Sequence, residues 1–106
     1  MNKMAVLTAR RREARHELAS AGVADILHAA KGNGIEITIV GSLARGDFRS
    51  HSDVDLLVRG TMAPERRVLT ERLVADGLRS CAIPYDLIFE DDLTEDRLQE
   101  FLNDIV

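Results

Sequence analysis

The chain has 106 residues, of which 45% are hydrophobic and 30% are charged. A chain of this length fits a single domain, 1–106, and its apolar content is too high for a disordered protein. The formal net charge of −4 argues against a general nucleic-acid-binding protein, which usually carries an excess of Lys and Arg. The single cysteine, Cys81, excludes an internal disulfide and a cysteine-based zinc site. Its apolar neighbours predict a small buried side chain rather than a nucleophile.

The sequence holds no apolar run that approaches the ~20 residues of a membrane helix. Its amino terminus has arginines where a signal peptide needs an apolar segment. We therefore expect a cytoplasmic protein with no membrane partner.

The first predicted element is a helix from Met4 to Lys31, a stretch without proline. The pattern fits either one long helix or two abutting helices, with Gly22 as the position of a break. Gly32-Asn33-Gly34 predicts the end of the element, because Gly and Asn tolerate the left-handed conformation. The apolar stripe recurs at near-helical spacing. Its members are Leu18, Val23, Ile26, Leu27 and Ala30.

A basic cluster lies on this helix, at Arg10, Arg11, Arg12 and Arg15. Such a run is typical of a solvated helix face. A contact with a phosphate-bearing ligand or an acidic partner is the alternative.

Two strands are predicted next, with a turn between them. The first, Ile35–Val40, alternates apolar and polar residues and delivers the small, flexible turn Gly41-Ser42, whose backbone NH groups suit phosphate. A short helix at Leu43-Ala44-Arg45 would make this turn an anion-binding helix end. The second strand covers Asp53–Val58.

The remaining elements are a loop from Arg59 to Met62, a helix, a strand and a last helix. Pro64 at the first helical position predicts a helix to about Arg79, with Leu69, Leu73 and Gly77 along one stripe. The third strand is Ile83–Phe89, where Pro84 indicates a place near a sheet edge. Thr94 is the predicted N-cap of the last helix, with a hydrophobic staple of Leu93 and Leu98. Its apolar stripe consists of Leu98, Phe101, Leu102 and Ile105.

The order helix, strand, strand, helix, strand, helix predicts an α/β or α+β fold with a small mixed sheet flanked by helices. Asp53 and Asp55 are two residues apart on a strand, so their carboxylates would share one face about 7 Å apart. Two acids at this separation repel each other unless a cation such as Mg²⁺ lies between them. Asp86 is the only acid inside the third strand, and a neighbouring position would bring three carboxylates together, enough for two Mg²⁺ ions.

These residues carry a family resemblance. Gly41-Ser42, then Arg45-Gly46, then Asp53-x-Asp55 on a strand and Asp86 on a later strand resemble the polymerase beta-type nucleotidyltransferase superfamily. Within it, the chain is similar to the small minimal nucleotidyltransferases. The resemblance covers about residues 35–89.

The resemblance implies that Asp53, Asp55 and Asp86 are metal ligands and catalytic residues, and that Asp86 accepts the proton of the attacking hydroxyl. Gly41 and Ser42 would hold the phosphates of a bound nucleoside triphosphate, and Arg45 would bind the nucleotide. The implied cofactor is Mg²⁺, as two ions, with ATP as substrate.

Several side chains also have structural interpretations. Asp53 could act as a cap or form a salt bridge with Arg49 or Arg59, and Arg45 could support the loop as an ion-pair partner. Gly46 and Asp47 are predicted turn residues, and Ser52 is predicted to make a local hydrogen bond at the strand start. His51, with no visible partner, is predicted to be solvated.

Small members of the superfamily often resemble antitoxins that transfer AMP to a tyrosine of an all-helical HEPN-type ribonuclease toxin. The leading hypothesis is therefore a protein adenylyltransferase that acts as a type VII-like antitoxin. The second hypothesis is a non-catalytic antitoxin that occludes its partner through the apolar end Leu102-Asn103-Asp104-Ile105-Val106. The third is nucleotidyl transfer to a small molecule.

Overall fold

The computed structural model describes residues 3–49 and 52–103. The predicted order of the long helices and the strands is confirmed, and a short helix follows the first strand directly. The helices are α1 (Lys3–Gly32), α2 (Gly41–Arg45), α3 (Pro64–Leu78) and α4 (Glu95–Leu102). The strands are β1 (Ile37–Val40), β2 (Val54–Val58) and β3 (Tyr85–Phe89), with 3-10 turns at Arg79–Cys81 and Glu90–Asp92.

The three strands form one mixed sheet in the order β1-β2-β3. β1 pairs with β2 in antiparallel orientation, and β2 pairs with β3 in parallel orientation. The parallel pair is possible because α3 lies between β2 and β3 in sequence and supplies the long connection that parallel strands require. The predicted α/β class is confirmed.

One face of the sheet packs against α1 and α3. The alternate residues Val54, Leu56 and Val58 of β2 are fully buried there, as expected when every second side chain of a strand points to the same face. The helices contribute the apolar side chains that cover them, which are Ala19, Val23, Ile26, Ala30, Val74 and Leu78.

The opposite face of β2 holds Asp55 and Leu57. Leu57 is fully buried, as is Val40, the β1 residue that pairs with Asp55, and both lie outside the core formed with α1 and α3. Asp55 is the only charged residue of β2. A charged side chain is therefore built into the central strand beside two fully buried apolar residues.

Of the two alternatives for the first element, one long helix is confirmed and a break at Gly22 is not found, because α1 is continuous over 30 residues. Gly22 instead lies where α1 packs closely against α3. A Cβ at this position would lie 3.1 Å from the carbonyl oxygen of Gly77 and 2.8 Å from Cδ2 of Leu78. The glycine is needed for helix contact, which the local pattern of the sequence does not reveal.

Other predicted boundaries and faces shift by one or two residues. β1 begins at Ile37 rather than Ile35, and β3 begins at Tyr85 rather than Ile83, since the preceding residues do not join the sheet ladder. In α3 the fully buried positions are Thr70, Val74 and Leu78, each one residue after the predicted stripe of Leu69, Leu73 and Gly77.

Two expectations of burial are also wrong. Leu18 is 50% exposed, because the buried stripe of α1 begins one residue later, at Ala19. Cys81 is only partly buried, and its Sγ donates a hydrogen bond to the carbonyl of Leu18 at 3.4 Å.

The predicted helix ends are confirmed. Gly34 has a φ of 69° after α1, and Pro64 is at the start of α3. The Thr94 side chain accepts a hydrogen bond from the Arg97 amide, as the predicted cap of α4 requires. Leu98, Phe101 and Leu102 are partly buried, whereas Ile105 lies outside the described residues. No helix in the described part of the chain is both long and apolar enough to cross a membrane.

Candidate active site

The sheet brings two of the predicted acidic residues together. Asp55 of β2 and Asp86 of β3 are direct partners in the parallel register, so they lie on the same face of neighbouring strands, which run about 4.8 Å apart. Asp53 lies just before β2, whose first residue is Val54. It is exposed, as is Asp86, whereas Asp55 is partly buried. The prediction that the strand of Asp86 neighbours the strand of Asp55 is confirmed.

The electrostatics of Asp55 reflect this arrangement. Burial raises the pKa of Asp55 above its ordinary value, and the negative charges of Asp86 and Asp53 raise it further. A side-chain hydrogen bond with Asp86 adds to the rise, while the positive charge of Arg45 lowers the pKa by less than these effects raise it. The negative form of Asp55 is therefore disfavoured, and a cation at this position would relieve the repulsion.

Gly41 lies directly against the carboxylate of Asp55. Its φ is 71°, in the left-handed region, and a Cβ there would collide with Oδ2 of Asp55 and lie 3.1 Å from Cγ. Glycine is required at this position for two reasons, the backbone conformation and the space. The sequence predicted the first reason only, because the contact with Asp55 depends on the pairing of β1 with β2.

The helix α2 starts at Gly41, two residues before the predicted start at Leu43. Val40 precedes it and provides no side-chain cap, and the first NH groups of a helix have no partner within the helix. Gly46 ends α2 with a φ of 84°, and the amides of Gly46 and Asp47 both donate to the carbonyl of Ser42. The predicted turn roles of Gly46 and Asp47 are confirmed.

Arg45 makes an ion pair with Asp47, with its Nε 3.5 Å from the carboxylate. It is also close enough to Asp55 to lower the pKa of that carboxyl. The interpretation of Arg45 as an ion-pair partner in the loop is confirmed, and its predicted contact with a nucleotide stays a prediction.

The alternative pairing of Asp53 with Arg59 is not found in residues 3–49 and 52–103. Arg59 instead pairs with Glu90, with the nearest atoms 3.4 Å apart. This leaves Asp53 exposed beside the Asp55 carboxyl, whose pKa it raises.

Ser52 makes the predicted local hydrogen bonds at the start of β2. Its Oγ accepts from the Arg49 amide at 2.8 Å, and its own amide donates to the Arg49 carbonyl at 3.1 Å. His51 lies outside the described residues.

The basic cluster divides into two parts. Arg10, Arg11 and Arg12 are exposed, as predicted for a solvated face, but Arg15 is partly buried and its Nη2 donates to the Ser52 carbonyl at 3.1 Å. The sequence contained a signal for this difference that we did not use. Arg15 lies four residues before Ala19, so it continues the buried stripe of α1 by one turn.

Within residues 3–49 and 52–103, no group of three His, Cys, Asp or Glu side chains is arranged to hold a metal ion. The chemistry of the donors nevertheless fits a hard divalent cation, because Mg²⁺ prefers carboxylate oxygens. Asp86 and Asp53 lie near enough to Asp55 to raise its pKa by their charges, so these three side chains are the ones that would bind such an ion.

No curated protein matches the chain. The family model described as "Nucleotidyltransferase domain" matches residues 22–105, a range that contains β1, β2, β3 and the acidic residues of the site. With most of its length matched, the chain belongs to the nucleotidyltransferase domain family, in the polymerase beta-like superfamily.

Proposed function

We propose that the protein transfers AMP from ATP to a hydroxyl group in a Mg²⁺-dependent reaction, and that the acceptor is a tyrosine of a HEPN-type toxin. The proposal depends chiefly on one observation, the Asp55 carboxyl held beside Asp86 with a raised pKa. Placing an acid in the central strand is unfavourable unless its charge is balanced. A cation brought by the substrate supplies that balance.

Asp53, Asp55 and Asp86 are the residues that would hold Mg²⁺. An ion bound there would supply charge neutralisation for the triphosphate and the leaving pyrophosphate. Asp55 and Asp86 lie on neighbouring strands, and Asp53 lies on the segment before β2. The sheet pairing of Asp55 with Asp86 therefore fixes the relative position of two of the three carboxylates.

Gly41 and Ser42 would bind the phosphates through their backbone amides. Support for this role comes from the start of α2 at Gly41, the absence of a side-chain cap at Val40 and the closeness of Gly41 to Asp55. Phosphate oxygens held by these amides would lie next to the carboxylates. Arg45, at the other end of α2, would add a positive charge that favours the same anion.

In the proposed reaction the acceptor oxygen forms a bond to the α-phosphorus of ATP. The bond from that phosphorus to the oxygen that bridges to the β-phosphate breaks, and pyrophosphate leaves with the bonding electrons. Asp86 takes the proton of the acceptor hydroxyl, a role that its exposed position allows. Most of the rate enhancement comes from positioning and from charge neutralisation.

A protein acceptor is favoured by the openness of the site. Asp86 and the preceding Tyr85 are both exposed, and β3 is an outer strand of the three-stranded sheet. A side chain on the surface of another protein can therefore approach Asp86. The resemblance to minimal nucleotidyltransferases identifies a tyrosine of a helical toxin as the acceptor to test first, with the present protein as its antitoxin.

The test is transfer of label from α-labelled ATP to the helical protein encoded beside this one, with Mg²⁺ present. We expect Asp86→Asn to reduce labelling roughly 100-fold or more, because it removes both a metal ligand and the proton acceptor. Asp92→Asn is the matched control, since Asp92 is an exposed acid that pairs with Arg67. No label with the wild type, or undiminished label with Asp86→Asn, would contradict the proposal.

The same preparations test the occlusion hypothesis. A variant that lacks both Asp53 and Asp55 should fail to neutralise the toxin if neutralisation requires transfer. Neutralisation that survives this double change would favour a binding antitoxin. Of the apolar end on which that hypothesis depends, residues 104–106 lie outside the described part of the chain.

A further inference from the structure

We propose that Arg15 is a positioning residue for Asp53, and that α1 acts as a rigid support for the metal-binding carboxylates. The inference depends on the proposed function, in which Asp53 is a metal ligand. It assigns a role in the site to a residue that lies before the range 22–105 matched by the family model.

Asp53 is the carboxylate that the sheet does not position. β2 begins at Val54, whose amide donates to the Pro84 carbonyl at 3.0 Å. Asp55 and Asp86 are fixed by the strand register, but Asp53 precedes the paired residues. Its position relative to Asp55 therefore depends on the residues that lead into the strand.

The segment before Asp53 is attached to α1 at two points. The first is the hydrogen bond from Nη2 of Arg15 to the carbonyl of Ser52, the residue directly before Asp53. The second is Phe48, which is only 3% exposed and whose ring meets that of His16 edge-on, with centroids 6.3 Å apart. Consecutive residues of one helix, Arg15 and His16, thus hold both ends of the stretch that leads to Asp53.

The rest of α1 makes this attachment rigid. Ala19, Val23 and Ile26 are buried in the core, and Gly22 lies against α3. Arg15 precedes this anchored part by one helical turn, and the helix is unbroken between them. Its Nε has almost no accessible surface and no hydrogen-bond partner among the described residues, so Arg15 keeps a costly buried polar group in order to place its Nη2 at Ser52.

The test measures Mn²⁺ binding to the full chain by electron paramagnetic resonance, without nucleotide, because carboxylate sites for Mg²⁺ also accept Mn²⁺. We expect Arg15→Ala to weaken Mn²⁺ binding roughly 10-fold, the size of effect seen when groups that orient metal ligands are removed. Arg15→Lys should restore part of the affinity, since its ammonium can donate to the same carbonyl. Arg12→Ala removes an exposed arginine of the same helix and should leave binding unchanged.

Asp53→Ala separates failure of this inference from failure of the proposed function. If Asp53→Ala weakens Mn²⁺ binding but Arg15→Ala does not, Arg15 has no positioning role. If Asp53→Ala leaves Mn²⁺ binding unchanged, Asp53 is not a ligand and the proposed metal site is wrong. If Arg15→Ala does not fold, Arg15→Gln decides, because it keeps part of the stem but is too short to reach the Ser52 carbonyl, and wild-type affinity in that variant would overturn the inference.

In transfer assays, Arg15→Ala should raise the Mg²⁺ concentration needed for half-maximal rate by about the same factor. The rate at saturating Mg²⁺ should change less. A change of the maximal rate alone, with the Mg²⁺ requirement unaltered, would contradict a role through Asp53.

Discussion

Two acidic clusters lie at opposite ends of the strand β3. The pKa of an aspartate is raised in one cluster and lowered in the other. At one end, Asp86 pairs with Asp55, whose pKa is raised by burial and by neighbouring carboxylates. At the other end, just past Phe89, Asp92 accepts two hydrogen bonds from Arg67, at 2.8 and 2.7 Å. The hydrogen bond with Arg67 lowers the pKa of Asp92.

The difference distinguishes a structural ion pair from a binding site. The positive charge of Arg67 balances the carboxylate of Asp92, and Arg67 Nη2 lies 3.9 Å from the carboxylate of Asp91. The Arg67 guanidinium also stacks over the Phe89 ring, 4.5 Å from its centroid. This cluster therefore has its cation within the chain. At Asp55 the positive charge of Arg45 lowers the pKa by less than burial and the neighbouring carboxylates raise it. A carboxylate pair whose charge the fold balances only in part is suited to a cation that arrives with the substrate.

The largest effect is expected for Asp55→Asn. Asparagine keeps the size of the side chain but removes the charge that would bind Mg²⁺, so AMP transfer should fall roughly 1000-fold. Asp92→Asn changes the other cluster in the same way and should leave the transfer rate within about twofold. Initial rates of label transfer measure both variants, and equal losses would show that the two clusters do not differ in function.

A smaller loss of activity is expected for Gly41→Ala. The added methyl group would displace the Asp55 carboxylate, and a misplaced catalytic group can reduce the rate roughly 100-fold. Gly46→Ala is the matched control, because Gly46 also has a positive φ but has open space around its Cα. Both variants should lose about 1 kcal/mol of stability from backbone strain. If Gly46→Ala reduces the rate as much as Gly41→Ala does, contact with Asp55 is not the cause.

The pH dependence of stability should have opposite signs at the two clusters. The folded protein binds the Asp55 proton more tightly than the unfolded chain does, so the contribution of Asp55 to stability falls as the pH rises from about 3.8 through its raised native pKa. In Asp55→Asn this fall should disappear. Urea unfolding of the metal-free protein between pH 3 and 7 measures it, and an unchanged pH profile in the variant would contradict the raised pKa.

The smallest effect is expected at Asp92. Its lowered pKa means that its contribution to stability is present above the ordinary value of 3.8 and is lost as the pH falls through the native pKa. Arg67→Ala should remove this acid-dependent loss and destabilise the protein slightly at pH 7, because exposed ion pairs contribute little. Urea unfolding of Arg67→Ala over the same pH range measures both changes in stability. An altered rate of AMP transfer in Arg67→Ala would show that the two clusters are coupled.

The sequence predicted the parts of the site that depend on local pattern. Alternation in the second strand and the isolated acid in the third identified Asp55 and Asp86, and Gly41-Ser42 indicated the turn before them. That Asp55 lies directly opposite Asp86 required the strand order, because the register of two strands whose paired residues are 31 positions apart is set by packing of the whole sheet.

The two structural roles that the sequence did not predict, those of Gly22 and Arg15, have the same origin. Gly22 has the local pattern of a helix break, but its role depends on α3, a partner distant in sequence. Arg15 was grouped with three exposed arginines, although its hydrogen bond reaches Ser52, 37 residues away. Contacts between distant elements therefore decided both cases. For Arg15, the helical spacing from Ala19 indicated the buried side of α1 but not Ser52 as the partner.

The central claim, that Asp55 belongs to a site whose charge is balanced by a bound cation, is tested most directly by thermal unfolding at pH 7. The wild type and Asp55→Asn would each be melted with and without Mg²⁺. We predict that the metal-free variant is at least as stable as the metal-free wild type, and that Mg²⁺ raises the Tm of the wild type but not of the variant. An equal rise in both proteins, or a metal-free variant that melts well below the wild type, would contradict the account.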